Sequence, residues 1–400
     1  MLLPQRRITF TTPTGQELVY DYLCDSEIIT SPTILTDTAK LTFPRKLVYK
    51  SGDPLTPQNQ NSQLDYVQPT AIGDTKNITY IGGQNATDAV FKRGYKVKIE
   101  QGFYPNLTTR FRGYISKTIS TLPLQLHCED EMWHLKQTNV IFPDPNTWVK
   151  TVKKKHTYVT GSRKLTLKQV MDGILAFAKN PPPYKLVDDN MDLGLRIFNN
   201  VSIAQVLEVL KSHYNLCSYF RDDGTLYVGF ENNAQLTRVH EIIMDGPEGV
   251  VLNNDTLEWT NASDVNIKVR GISINADNTK IQYDAYMLDG VLVGKFIDSP
   301  SQEDKVFQGT VVTKTTYNQD KAGLKKFVDN LLPTLNYDGF RGDIITLGDP
   351  AVQHGDMIKL ISIKMPERSG SYLANAIKIN DGKDGYFQTI TLGIALQQQT

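Results

Sequence analysis

The chain has 400 residues, enough for roughly two to four domains and a substantial core, and its 43 Lys plus Arg balance 43 Asp plus Glu. A formal net charge of zero argues against a protein that grips nucleic acid by its phosphates, and it forgoes the solubility of a strongly charged surface, which favours a subunit of an assembly. Cys24, Cys128 and Cys217 lie far apart with no CxxC spacing, which speaks against a disulfide framework or a thiolate zinc site and for inert, partly buried thiols. No apolar run reaches membrane-spanning length, and the N-terminal Met-Leu-Leu-Pro-Gln-Arg-Arg opens no secretory signal.

Residues 1–50 read as short strands, Ile8–Thr12, Leu18–Tyr22, Glu27–Thr30 and Ala39–Phe43, with Thr36-Asp37-Thr38 as a turn and Pro44 as a stop. From Ser51 to about Gln84 the chain turns polar and rich in Asn, Gln, Pro and Gly, the signature of an insertion ordered in place or by a partner. Tyr95, Val97 and Ile99 then alternate with Lys96, Lys98 and Glu100, a strand with one buried face. A second strand, Thr109–Ser116, contains Gly113, where a bulge or a close backbone approach is expected. A third, Leu122–Cys128, runs into Glu129-Asp130-Glu131, acids placed where a helix N-terminus favours negative charge.

The character changes over residues 156–250. Leu167, Val170, Met171, Ile174, Leu175 and Ala178 repeat at helical spacing behind the capping box Thr166–Gln169, and Ser202–Gln205 caps a second stripe of Ile203, Val206, Leu207, Leu210 and Tyr214. Cys217–Arg221 and Thr225–Phe230 form a hairpin turned by Asp222-Asp223-Gly224, so the middle is a small α+β domain. Beyond Val251 the chain returns to strands: Asp264–Ser273, Lys280–Tyr286 and Leu292–Phe296, then Phe340–Leu347, Asp356–Ile363, Tyr372–Ile379 and Tyr386–Leu392. One helix interrupts at about 320–332, with Leu324, Phe327, Val328 and Leu331 on a stripe that Pro333 is expected to end. Two β units of similar grammar bracket the chain, which suggests a duplicated barrel.

Candidate chemistry is sparse. His127, Cys128 and His134 are possible metal ligands in type, but neighbours along a strand point to opposite faces and the spacing matches no zinc site. Asp188, Asn190 and Asp192 open like a calcium loop, yet Leu193 stands where Gly is needed and Asn199 where a bidentate Glu is needed, so a solvated turn is the better reading. Glu129, Asp130 and Glu131 could supply a carboxylate pair for glycan hydrolysis, though acids at a helix start are routine. Lys153-Lys154-Lys155-His156 reads as a solvated turn at a domain junction. No nucleophile elbow, P-loop or His-Glu-x-x-His is present, and no catalytic residue, metal or cofactor is expected.

Several of these stretches carry a resemblance. Phe111-Arg-Gly-Tyr-Ile115, Leu122-Pro-Leu-Gln-Leu126 and Cys128-Glu-Asp-Glu-Met-Trp133 resemble the first barrel of phage tail and baseplate hub proteins, the late control gene D family, which is related to the hub half of type VI secretion spikes. Thr36-Asp-Thr-Ala39 before Pro44 fits the early strands of that barrel. The two capped helices and the Asp-Asp-Gly hairpin are similar to the middle domain of the family. The helix at 320–332 with Gly348-Asp349-Pro350, His354-Gly355-Asp356 and Gly370-Ser371-Tyr372 is similar to its second barrel. The resemblance covers nearly the whole chain, and the 51–84 insertion departs from it.

The resemblance implies a mainly β protein with an α+β middle domain: a first hub barrel at 1–155, the middle domain at 156–250 and a second barrel with its helix at 251–400. It implies a structural, non-enzymatic role in the virion tail or baseplate, made in the host cytoplasm. A homotrimer would form a pseudo-hexameric ring between a hexameric tail tube protein and a trimeric central spike protein, with other baseplate, tail-tip and tape measure proteins as neighbours and DNA or an effector passing through the channel. The residues expected to shape that ring are Gly94, Gly113, Trp133, Gly342, Gly355, Asp356 and Gly370, the glycines and Asp356 as backbone turns and Trp133 as a core or interface anchor. Two other classes stay open at this level: a tail-tip enzyme degrading the cell wall, and a carbohydrate-binding β protein.

Overall fold

The computed structural model describes residues 3–21, 23–43, 48–50, 78–80, 91–119, 123–140, 166–191, 193, 200–230, 238–245, 250–252, 256–261, 266–275, 278–288, 291–298 and 307–396. The chain is mainly β. Most of the 51–84 insertion and all of Lys153–His156 lie outside the described residues.

Alternation decides the first β unit. Strands β1 (Pro4–Thr11), β2 (Glu17–Tyr20), β3 (Asp25–Thr30) and β4 (Thr38–Phe43) precede a small pair, β5 (Val48–Lys50) with β6 (Ile78–Tyr80). Strands β7 (Lys96–Phe103), β8 (Thr108–Ile119) and β9 (Leu124–Glu129) follow. In β9, Leu124, Leu126 and Cys128 point inward while Gln125, His127 and Glu129 point out, as a two-residue period requires. The antiparallel order is β2-β1-β7-β8-β9-β4-β3. Phe10, Tyr20, Phe43 and Phe91 fill the interior, with Phe10 and Phe91 ring centroids 4.6 Å apart.

Gly113 makes the close approach expected of it. A Cβ there would lie 2.0 Å from the Glu129 carbonyl oxygen, so β8 and the end of β9 can meet only without a side chain at 113. The bulges fall instead elsewhere in β8, at Arg110 opposite Ile99–Glu100 and at Ser116 opposite His127–Cys128. Helix α1 (Met132–Gln137) follows, and Asp130 Oδ1 accepts the Met132 N–H at 3.0 Å, so one acid of the Glu129–Glu131 run does meet the helix N-terminus.

The middle residues form helices α2 (Leu167–Leu175) and α3 (Ile203–Tyr214), and both capping boxes are present with their reciprocal backbone bonds. Asn215 ends α3 in the left-handed conformation at φ 56°. Strands β10 (Asn139–Val140) and β12 (Val201–Ser202) pair beside α3. Strands β11 (Tyr184–Leu186), β13 (Leu216–Phe220) and β14 (Leu226–Phe230) form a sheet of order β11-β14-β13, with β13 and β14 joined by the Asp222-Asp223-Gly224 turn. Its core is separate from that of the first unit.

The C-terminal third holds two sheets where one barrel with a helix is expected. Strands β15 (Val239–Ile243), β16 (Glu258–Thr260), β17 (Ile267–Ile274), β18 (Lys280–Leu288), β19 (Val291–Ile297) and β20 (Thr310–Tyr317) precede helix α4 (Lys321–Leu335). After it come β21 (Gly339–Leu347), β22 (Met357–Ile361), β23 (Gly370–Gly382) and β24 (Gly385–Ala395). Strands β19-β18-β17-β20 make a sheet of their own with β17 and β20 parallel, and α4 buries Leu324, Phe327, Val328 and Leu332 with Val269, Tyr283 and Ala285. Alternation along β17 reads the same whichever sheet it joins. Helix α4 also continues past Pro333: the proline sits in the last turn, where the Asn336 N–H still reaches the Leu332 carbonyl.

The remaining C-terminal strands extend the first sheet. Strand β23 pairs with β3, and the whole runs β16-β21-β24-β23-β3-β4-β9-β8-β7-β1-β2, with β22 on β23 and β15 parallel to β22, thirteen strands in all. Strand β15, which precedes residue 250, thereby belongs by pairing with the C-terminal strands. One core spans the join, with Ile28, Leu41 and Ile99 in the same cluster as Ile344, Ile358 and Ile390.

Gly113→Ala is expected to destabilise the fold by at least about 1–3 kcal/mol, because the clash is with backbone and cannot be relieved by a rotamer change. Chemical denaturation measures this, and an unchanged midpoint would contradict the close approach.

Candidate functional site at the seam of the two β units

The β3–β23 pairing joins residues more than three hundred positions apart, with Ile28 opposite Ile379 and Ser26 opposite Asp381. Asp381 is buried, and two side chains of the first unit reach it. Arg6 Nη2 lies 3.1 Å from its Oδ1, and Gln101 Nε2 donates to its Oδ2 at 3.0 Å and to Ser26 Oγ at 2.9 Å. Burial pushes the Asp381 carboxyl up, against the pull of Arg6 and Gln101. Removing one partner of such a buried pair costs about 3–5 kcal/mol, so the contact resists being opened.

A second polar tie runs beside it. Buried Arg110 in β8 donates from Nη2 to Gln388 Oε1 at 2.8 Å, and Gln388 Nε2 donates to the Pro350 carbonyl at 2.6 Å. Burial lowers the pKa of Arg110.

The middle residues enter through the β13–β14 hairpin. Tyr219 meets the His354 ring edge-on at 4.6 Å, and Asp222 lies 3.8 Å from Arg238. Asp356, also buried, gathers Arg238 Nε at 3.3 Å, His240 Nε2 at 3.0 Å and the Gln353 N–H at 2.9 Å. A cavity of about 220 Å³ lies where these groups meet, with Arg110, Asp37, Asp130, Asp222, His354 and Asp356 on its wall.

The acids of this cavity are held by backbone or by cations of other segments. Asp37 Oδ1 accepts the Ser31 N–H at 3.1 Å, and Asp130 Oδ2 accepts the Asp37 N–H at 3.2 Å. Burial drives Asp37 well up, with the Asp130 charge adding to it, and lifts Asp130 to about 7. Burial lifts Asp222 to about 6 against Arg238 and Arg110. His354 goes the other way, to about 4, because burial disfavours its charged form. Chemically the arrangement fixes three segments in one relation; its carboxylates are spent on internal contacts.

The residues expected to shape the assembly fall into three places. Gly94, Gly113 and Trp133 come together: Gly94 is at φ 88° with a built Cβ 3.3 Å from the Trp133 ring, and Trp133 stacks on Tyr114 at 5.4 Å. Gly355, at φ 82°, and Asp356 lie at the seam. Gly342 and Gly370 lie apart in the C-terminal unit, Gly342 at φ 125° against the Thr256 carbonyl and Gly370 beside the Tyr372 ring.

The other candidates scatter. His127 faces outward, Cys128 inward, and His134 meets Tyr114 edge-on at 4.2 Å. Asp188 pairs with Lys326 of α4, which holds its carboxyl below the usual range, so this turn is a contact between segments rather than a free solvated one. Asp192 and Asn199 are outside the described residues. Sequence reading missed Arg6, Gln101, Arg110, Asp381 and Gln388. For all but Arg110 the signal is a polar residue at the inward parity of a strand, as in Val97-Ile99-Gln101 and Tyr386-Gln388-Ile390; Arg110 is the extra residue of a β8 bulge, which alternation does not show.

No family model and no curated protein matches the chain. Solved structures do. A tail protein from Neisseria meningitidis MC58 is similar over 97% of this chain and 96% of its own, at 12% identity and a TM-score of 0.55. The 43 kDa tail protein of prophage MuSo2 from Shewanella oneidensis is similar over 97% of each chain, at 11% identity and a TM-score of 0.51. The likeness is one of fold, and it extends over almost the whole chain.

His354 generates a pH prediction. Its folded pKa of about 4 lies below the ordinary 6.5, so its contribution to stability is whole above about pH 6.5 and is lost as pH falls toward 4, on the order of 3 kcal/mol in full. His354→Phe keeps the edge-on ring and removes the titration. Its melting temperature should fall less than that of the parent between pH 7 and pH 4; parallel curves would contradict the burial of a neutral imidazole.

Proposed function

We propose that the protein is the structural hub of a phage tail or a phage-like injection machine. Three copies form a ring in which the two β units of each chain give six similar positions, matching a hexameric tail tube on one side and a trimeric central spike on the other. Residues 1–155 and 251–400 supply the two hub units, with β15 handed to the second, and 156–250 supply the middle domain. The role is geometric rather than catalytic: the ring adapts one symmetry to another and lines the channel.

The observation that carries this reading is the seam. Two β units at opposite ends of one chain share a sheet, a core and the Arg6–Asp381–Gln101 contact, so each copy presents them as a single body. The fold shared with two tail proteins over 97% of the chain supports the same reading. A formal charge of zero suits a channel wall past which a polyanion slides without sticking.

Light scattering over a concentration series is expected to give three times the 45.0 kDa chain mass. A concentration-independent monomer in the presence of its tail partners would overturn the hub. Gly355 holds a left-handed turn at the seam, where a β-branched residue is strained, so Gly355→Val is expected to lose the trimer or the fold. Unchanged trimerisation in that variant would remove Gly355 from the account.

A further inference from the structure

The outward face of the sheet carries a charge arrangement apart from the buried contacts of the seam. One row crosses five strands, Asn380 of β23, Glu27 of β3, Lys40 of β4, His127 of β9 and Lys117 of β8, each opposite the next in the ladder. Lys40 and Lys117 therefore flank the same imidazole, and with strands about 4.8 Å apart the two ammonium-bearing positions stand about 10 Å from each other. Burial and then the two lysines lower the His127 pKa, a sign that their charge is felt there.

The acids on this face are already taken. Glu27 pairs with Lys378 at 2.6 Å, and Glu129 pairs with Lys136 at 2.6 Å. Lys40, Lys117 and Arg93 have no carboxylate partner among the described residues. All three line an open cleft of about 530 Å³, together with His127 and Trp133. Arg93 lies over the Trp133 ring at 5.9 Å, and Tyr114 stacks on the same ring at 5.4 Å.

We propose that this cleft is a docking site for an acidic peptide segment of a partner protein, with carboxylates answering Lys40, Lys117 and Arg93 and an apolar residue against Trp133. Charge complementarity selects the occupant. A carboxylate-bearing strand or loop can place its charges on Lys40, Lys117 and Arg93 and pass between the two internal ion pairs, whereas a nucleic-acid backbone brings a phosphate at every step and would meet the Glu27 and Glu129 carboxylates. The inference does not depend on the hub reading, because it concerns the outward face of the sheet and requires no particular oligomer.

The test uses the full chain and a fluorescein-labelled peptide of alternating Glu and Leu, followed by fluorescence anisotropy at low and high salt, with a single-stranded oligonucleotide of equal charge as the second probe. The peptide is expected to bind with an affinity that weakens as salt rises, and Lys40→Glu with Lys117→Glu is expected to weaken it by about tenfold or more. Trp133→Ala, which keeps the cations, should weaken the Glu-Leu peptide but not an all-Glu peptide. Thermal melting of each variant establishes that it is folded, and Lys40→Gln with Lys117→Gln serves as a milder pair should charge reversal disturb the sheet. Absence of peptide binding by the parent, equal binding by the folded lysine variants, or tighter binding of the oligonucleotide would each overturn the proposal.

Discussion

A buried carboxylate, Asp381, is the contact on which the rest of this structure depends. It sits at the β3–β23 join, faces Arg6 and Gln101 from the other end of the chain, and is too enclosed to be satisfied by solvent. An apolar join of the same area could slide by a residue pair, whereas a charge that finds its partners in only one register fixes the strands in place. From that fixed register follow the shared core of Ile28, Ile99, Ile377 and Ile390, the Arg110–Gln388–Pro350 tie, and the loop at 352–356 that receives the β13–β14 hairpin. The core shared by the two β units and the separate core of the middle residues thus meet at one polar seam.

Much of the fold was legible in the sequence because the signals were local. Thr166–Gln169 and Ser202–Gln205 are capping boxes whose chemistry closes within three residues, and Asp222-Asp223-Gly224 is a turn whose glycine takes φ 81°. Strand parity in β7 and β9 followed from two-residue alternation. The seam was not legible. Gln101 and Gln388 break the apolar parity of their strands and Arg110 sits at a bulge, but nothing nearby in the chain names the partner that satisfies such a residue, since that partner lies about 280 positions away. The separate β17–β20 sheet escaped for the same reason: its parallel pair closes across two intervening strands, and α4 could equally have covered a barrel.

The expected assembly residues divide along the same line. Of the glycines expected as backbone turns, Gly113 and Gly342 lie instead within strands, where each closely approaches another backbone, at Glu129 and at Thr256. Their common feature is local geometry, and only Gly355 and Asp356 stand at the seam. The charged cleft on the outward face shows a further division of labour. Gln101 and Arg110 each find a partner within the chain, while Lys40 and Lys117 on the outward face of the same sheet are left for something outside it.

The central claim is that one chain presents two rigidly joined β units to a ring. Electron microscopy of the assembled protein viewed along its axis tests it most directly. The account predicts a threefold ring whose inner wall shows six similar lobes around an open channel. A particle with no channel, or a ring in which the two units of each chain take different angles from one copy to the next, would contradict it.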